Sequence, residues 1–493
     1  MGFFNKDIDE SEQIEELQEE VHVAAEEAQE EVQADAEAEF QEEVELVHQE
    51  VSKEEKLTEA EAKRDLRRQR RKHNERMATM AAILMVLVLS GAVFGGITGI
   101  KYLIGGNWGA TETTESTDDI HDMVQDILAS ESELPTEVEV VAKPEELLDE
   151  YIDAVIAGMT LEEKVAGLIV ASPESITGVA RATRAGDSTK AAIEAMPVGG
   201  LVYYRQNMES AEQFKEMLTN TKSYSKYPIF LAVNEGGDSY SSVQNSPISV
   251  PSVTKPGNIR SAEEAYALGS TIGGYLSEYN FNVNFAPTAD ILYVNGAAVA
   301  DYCFGGDATM NAELVAEYVR GLEEQGISAT LKTFPGTGHL QTSTTNSTVS
   351  TNKTRADYED NFTVFKAGID AGADFVMVSN IVASELSGGM DPCSMSSTVV
   401  TDILRKELNF TGVIITEPMN GKAITDYYSA SEAAVAALKA GCDMILLPEN
   451  VEEVYEGILE GIATGSVAEA RINDSLKRVM RVKYAYKLAE FAN

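Results

Sequence analysis

Positive charge, histidine, tryptophan and cysteine are all scarce in this chain of 493 residues. Lys and Arg number 38 against 81 Asp and Glu, a formal net charge of −43. Such a balance argues against nucleic acid as a partner, because phosphate binding needs clustered Lys and Arg. The three cysteines, Cys303, Cys393 and Cys442, have no CxxC spacing. Neither a zinc ribbon nor a redox dithiol is therefore expected, and buried free thiols are. No His/Cys/Asp/Glu run has metal-ligand spacing and no Gly-rich dinucleotide fingerprint follows a strand pattern, so no metal or other cofactor is expected.

What is present is unevenly distributed. Residues 1–60 hold 22 Asp or Glu against three Lys, and neither Arg nor Pro. Apolar residues recur there at helical spacing, as in Ile14, Leu17, Val21, Ala24 and Ala28. The segment reads as an acidic tail, either solvated and partly helical or a helix that binds a protein partner. A basic run from Lys63 to Arg76 closes it. An uncharged apolar stretch follows, Ala78 to Ile100, whose 23 residues suffice to cross a hydrocarbon core of about 30 Å. Positive charge before the stretch and acidic residues after it place the N-terminus in the cytoplasm and the remainder outside. The basic residues also suit anionic lipid headgroups. The expected organisation is a cytoplasmic tail over 1–76, one transmembrane helix over 77–104, a Thr/Ser/Asp/Glu-rich linker over 105–143, and a folded domain over 144–493.

Within that domain eight β-type runs alternate with amphipathic helical stretches. The runs are 165–170, 200–204, 229–233, 283–285, 329–333, 375–378, 413–416 and 444–447. Even alternation predicts a TIM-type (β/α)8 barrel, with an open doubly wound sheet as the alternative. A barrel places its site at the C-terminal ends of its strands. Reading those ends gives Asn234, Glu235, Asp290, Lys332, the loop Phe334–His339, Ser379, Asn380, Glu417 and Glu449. Carboxylates with one Lys and one His suit acid–base chemistry on an uncharged polar substrate such as a sugar.

The loop Lys332-Thr333-Phe334-Pro335-Gly336-Thr337-Gly338 resembles the K-H-F-P-G-H-G loop of glycoside hydrolase family 3, in its β-N-acetylhexosaminidase branch. Glu235-Gly236-Gly237, Asn282–Pro287, Gly412–Thr416 and Arg471–Ser475 fall in the matching order over the whole domain. The resemblance implies retaining hydrolysis of terminal N-acetylglucosamine, with a carboxylate nucleophile after the seventh strand and an Asp–His acid–base pair on the loop after the fifth. The substrate would be a cell-wall or related glycan, including peptidoglycan fragments.

The chain departs from that pattern where the chemistry lies. The nucleophile position carries Glu417, followed by Pro418, and the acid–base positions carry Ser343 and Thr345. An unperturbed hydroxyl is far too weak an acid for that role near pH 7. Lys332 is kept from the sugar-binding set. The resemblance puts Asn234, Tyr302 and Asn380 where the family has Asp, Arg and His, and Thr333 and Thr337 at two further His positions. Glu235 is either a sugar contact or part of a tight turn. Lys332 is either a sugar contact or a structural ion pair, and His339 either a substitute acid–base or an ordinary loop residue. Two functions stay open: a membrane-anchored hydrolase with altered catalytic groups, or a non-catalytic glycan- or protein-binding descendant at the cell surface.

Overall fold

The computed structural model describes residues 143–491, within a compact unit spanning Glu137–Asn493. The expected acidic tail, the span at 77–104 and all but the last residue of the linker lie outside the described residues. Among the described residues no helix is long and apolar enough to cross a membrane.

Eight parallel strands form one sheet: β1 (Ile169–Ala171), β2 (Gly200–Tyr203), β3 (Phe230–Val233), β4 (Val283–Asn284), β5 (Ser328–Phe334), β7 (Phe375–Val378), β9 (Val413–Thr416) and β10 (Ile445–Leu446). The short β6 (Ser350–Thr351) and β8 (Val382–Ala383) pair separately. Spatial order is β10-β1-β2-β3-β4-β5-β7-β9, and a parallel bridge between Ile415 and Met444 joins the two ends. The sheet is therefore wrapped into a ring, not an open doubly wound layer. Phe230 on β3 and Phe375 on β7 lie three strands apart, yet their rings meet at 5.1 Å, a contact made across the interior. Every residue of β2, β3, β7 and β9 is buried, as expected when helices cover the outside of a parallel sheet and side chains fill its inside.

The seam at β9 and β10 is held by charge as well as by main chain. Asp443, fully buried, accepts from Ile414 N at 3.0 Å and Ser475 Oγ at 2.7 Å. The guanidinium groups of Arg405, Arg471 and Arg478 converge on the same carboxylate at 2.6, 3.4 and 3.1 Å. At the opposite end from the site, the last long helix (Glu469–Lys483) lays the Lys483 ammonium 4.8 Å from the centre of the Phe230 ring.

One strand begins later than the apolar pattern suggests. Residues 165–166 belong to the helix Leu161–Ala166, and β1 is confined to Ile169–Ala171. Thr160 Oγ1 accepts from Glu163 N while Thr160 N donates to the Glu163 carboxylate, a capping box that starts a helix directly ahead of the buried run. Periodicity alone does not separate a buried helical turn from a strand. All three cysteines are free and buried.

Candidate active site

A cavity of about 760 Å³ opens at the C-terminal ends of the strands. Asn234 after β3, Lys332 on β5, Glu417 after β9 and Tyr302 on the long loop after β4 all line it. These four come from distant parts of the sequence and meet only because the ring closes. Glu235, Asn380 and His339 do not line it.

Glu417 is placed by the end of β7. Its backbone N donates to Val378 O at 2.8 Å, continuing the strand pairing by one residue. Its Oε2 accepts from Asn380 N at 2.7 Å and Ser379 Oγ at 3.2 Å, and the Thr344 hydroxyl adds a further bond. Burial pushes the carboxyl above its usual range, and these donors pull it part of the way back. Asn380 serves this arrangement and does not line the cavity. Its side chain donates to Pro418 O at 2.9 Å and accepts from Ser394 Oγ at 2.7 Å. The sequence suggested a sugar contact there; in the structure both ends of the side chain are engaged in holding the Glu417 loop.

Lys332 donates to Asn234 Oδ1, and its ammonium lies 5.7 Å from the centre of the Tyr302 ring. Burial lowers its pKa, opposed by the charges of Asp238, Asp290 and Glu417. Among the described residues it makes no ion pair with a carboxylate within 4.0 Å, so the structural ion-pair alternative is not what is found. Asp290 underlies this face. It takes Thr333 N and Thr333 Oγ1, both at 3.0 Å, together with Thr337 N. Thr333 thus meets this buried carboxyl through both amide and hydroxyl, and Thr337 through its amide, with its hydroxyl 3.1 Å from Thr333 Oγ1.

Of the two readings of Glu235, the bonds it makes fit the turn. Fully buried, it accepts from Val243 N at 2.7 Å, Gln244 N at 3.2 Å and Tyr275 OH at 2.8 Å, tying the loop after β3 to the helix behind it. Burial raises its pKa to about 7 despite these donors. His339 sits in the surroundings of an ordinary loop residue. Its Nε2 lies 3.0 Å from Thr351 Oγ1 on β6, and its ring packs edge-on to Tyr358 at 6.1 Å, away from the cavity lining. Burial and the neighbouring Lys353 charge lower its pKa to about 4, so near pH 7 it is neutral. Just before it, the backbone passes so close to the carbonyl of Ile291 that a Cβ at Gly338 would collide with it.

The loop after β5 closes one side of the cavity. Lys422 N donates to Thr345 O at 3.1 Å and Ala423 N to Thr344 O at 3.2 Å. Ser343 Oγ donates to Thr345 Oγ1 at 3.2 Å, both residues on the lining. Sequence reasoning passed over Asp238, which lines the cavity beside Lys332 and whose pKa burial raises. Its signal was a charge directly after Glu235-Gly236-Gly237. Thr344 carried no signal, being one hydroxyl in a run of them. Among the described residues no group of three or more His, Cys, Asp or Glu could hold a metal ion.

The family model for the glycosyl hydrolase family 3 N terminal domain matches residues 160–482. The chain belongs to glycosyl hydrolase family 3. Within family 3 it groups with the β-hexosaminidase branch. A beta-hexosaminidase of Nitrosomonas eutropha is 27% identical over 271 residues, 53% of this chain and 77% of that protein. A solved family 3 beta-N-acetylglucosaminidase from Paenibacillus sp. str. FPU-7 superimposes with a TM-score of 0.62 at 27% identity, over 67% of this chain and 64% of that one. A beta-N-acetylhexosaminidase structure from Beutenbergia cavernae, at 23% identity, shares the fold with a TM-score of 0.59 over 66% of this chain and 99% of that one. As a family 3 barrel, the chain has its cavity where this fold places its sites.

Proposed function

We propose that this family 3 protein binds a terminal sugar of the N-acetylglucosamine class, within a cell-wall or related glycan, and hydrolyses it very slowly or not at all. The observation that carries this reading is the contrast within one cavity. Lys332, Asn234, Asp238 and Glu417 line it, whereas the positions of the family's acid–base pair present only the hydroxyls of Ser343 and Thr345. Lys332 and Asp238 supply an ammonium and a carboxylate for sugar hydroxyls, the charge-assisted bonds that grip polar substrates best. Leaving-group departure has no comparable helper, and general acid–base assistance is typically worth about 10²–10⁴-fold. Glu417 in place of Asp adds a displacement of roughly 1 Å, which alone can cost about 100-fold.

The basic run and apolar stretch before the domain support a single-pass protein, with the acidic tail in the cytoplasm and the barrel outside. In that setting the barrel samples extracytoplasmic glycan, and the tail is available to a cytoplasmic protein partner. Protease added to intact cells stripped of their wall should remove the barrel and spare the tail; a protected barrel would reject this topology. The catalytic part is tested by turnover of a chromogenic N-acetylglucosaminide by the full-length chain, with Glu417→Gln as control. The expected result is sugar binding with turnover indistinguishable from the control. Turnover within tenfold of an ordinary family member would reject the reading in favour of an active hydrolase.

A further inference from the structure

The charges around the cavity do not balance. Asp238 and Glu417 line it, and Asp290 lies beneath, bonded to Thr333 and Thr337. Among the described residues that line it, Lys332 is the one cationic side chain, and there is neither Arg nor His. Among the described residues, no Lys, Arg or His nitrogen comes within 4.0 Å of any of these three carboxylates. Lys332 donates to the neutral Asn234 Oδ1 instead. A further carboxylate, Glu174, is close enough to the lining residue Tyr204 that burial and this charge push the tyrosine hydroxyl up to about 12. Among the described residues, Glu174 Oε2 is buried with no hydrogen-bond partner.

Burial works against each of these charges. It pushes the carboxyls of Asp238, Asp290 and Glu417 up and the Lys332 ammonium down. That is the direction expected when charged groups lose water without gaining enough counter-charge. A neutral ligand leaves the imbalance in place. A positively charged one offsets it, and the attraction is stronger in a water-poor cavity than at the surface. Hydrogen-bond chemistry points the same way, because a carboxylate only accepts and an ammonium only donates. The walls suit a cation as well. Tyr204, Tyr240 and Tyr302 line the cavity, and an aromatic face attracts positive charge. The face of Tyr302 already holds the Lys332 ammonium at 5.7 Å from the ring centre. Outside the cavity, a net charge of −43 on the whole chain raises the local concentration of cations.

We propose that the sugar preferred by this cavity carries a free amine: a terminal glucosamine, its ammonium set against Asp238 and Glu417, in preference to the N-acetylated form. This rests on the reading that the cavity takes a terminal amino sugar. The acetamide of N-acetylglucosamine is neutral, and it brings a further carbonyl acceptor into a site already rich in acceptors. Hydrolysis of that acetamide, with water added and acetate released, exposes the amine, which then takes up a proton. The preference places this chain after a deacetylation of its glycan.

Binding of methyl β-glucosaminide, methyl β-N-acetylglucosaminide and methyl β-glucoside to the full-length chain tests this, by calorimetry at a mildly acidic pH where the amine is fully charged. The native protein should bind the amine at least about tenfold more tightly than either neutral sugar, the gain expected of a charge-assisted bond. Asp238→Asn with Glu417→Gln in one chain, its fold checked by circular dichroism, should bring the amine down to the level of the neutral sugars. N-acetylglucosaminide binding as tight as that of the amine, or tighter, in the native protein would overturn the proposal and leave the sugar-binding reading standing. A preference for the amine that survives loss of both carboxylates would also overturn it, by placing the ammonium elsewhere. If the native protein bound none of the three sugars, the sugar-binding reading itself would fall, and the charge preference with it.

Discussion

Placing a proton donor at the proposed acid–base positions is the sharpest trial of the functional reading. The perturbation is Ser343→Asp with Thr345→His in one chain. The two side chains already meet at 3.2 Å through their hydroxyls, so residues two apart on this loop face one another. Thr345 is exposed and leaves room for an imidazole. The loop is held by main-chain bonds from Lys422 N and Ala423 N to the carbonyls of Thr345 and Thr344, which do not depend on the side chains replaced. General acid–base assistance is typically worth about 10²–10⁴-fold, equivalent to about 2.7–5.4 kcal/mol of barrier. The double variant should therefore gain at least about 100-fold in kcat/KM on a chromogenic N-acetylglucosaminide. It should remain below an ordinary family member, because Glu417 still carries its extra methylene. Its pH–rate profile should acquire a limb near the ordinary His value of about 6.5, absent from the parent. A correctly folded double variant, judged by circular dichroism, with less than tenfold gain and no new limb would refute the argument that the lost acid limits turnover.

Two further outcomes follow from the buried charges. Asp443→Ala should destabilise the domain by about 3–5 kcal/mol in chemical denaturation, because it leaves Arg405, Arg471 and Arg478 converging without a counter-charge at the seam of the ring. A loss below 1 kcal/mol would contradict that role. Glu235 gives a pH signature: its folded value near 7 lies above the ordinary carboxylate value of 4.5. Between those values the folded state holds a proton that the unfolded state has lost. Its contribution is thus fully present below pH 4.5 and falls away as pH rises to about 7. Thermal unfolding of the native chain should weaken across that window more than that of Glu235→Gln, and parallel curves would remove Glu235 as the cause.

The sequence by itself determined the architecture. Eight apolar runs separated by amphipathic stretches have few ways to bury their surfaces other than a wrapped parallel sheet. Strand pairing is local and repetitive, so its pattern is written along the chain. It also determined which positions hold carboxylate, ammonium or hydroxyl, and from these came the expectation, carried by the resemblance, that Ser343 and Thr345 stand at the acid–base positions. Strand ends brought Asn234, Lys332 and Glu417 to one mouth as expected, since closure of the ring fixes where strands terminate. Only the tertiary structure decided which nearby side chains turn inward. Glu235 and Asn380 were drawn into satisfying main-chain amides, carbonyls and a tyrosine hydroxyl behind the cavity. His339 lies against Thr351 on β6. Asp238 and Tyr240 reached the lining through loop bonds that no periodicity encodes. The physical reason is one of range: repeating backbone geometry sets the ends of strands, whereas a loop side chain's direction depends on hydrogen-bond partners tens of residues away in sequence.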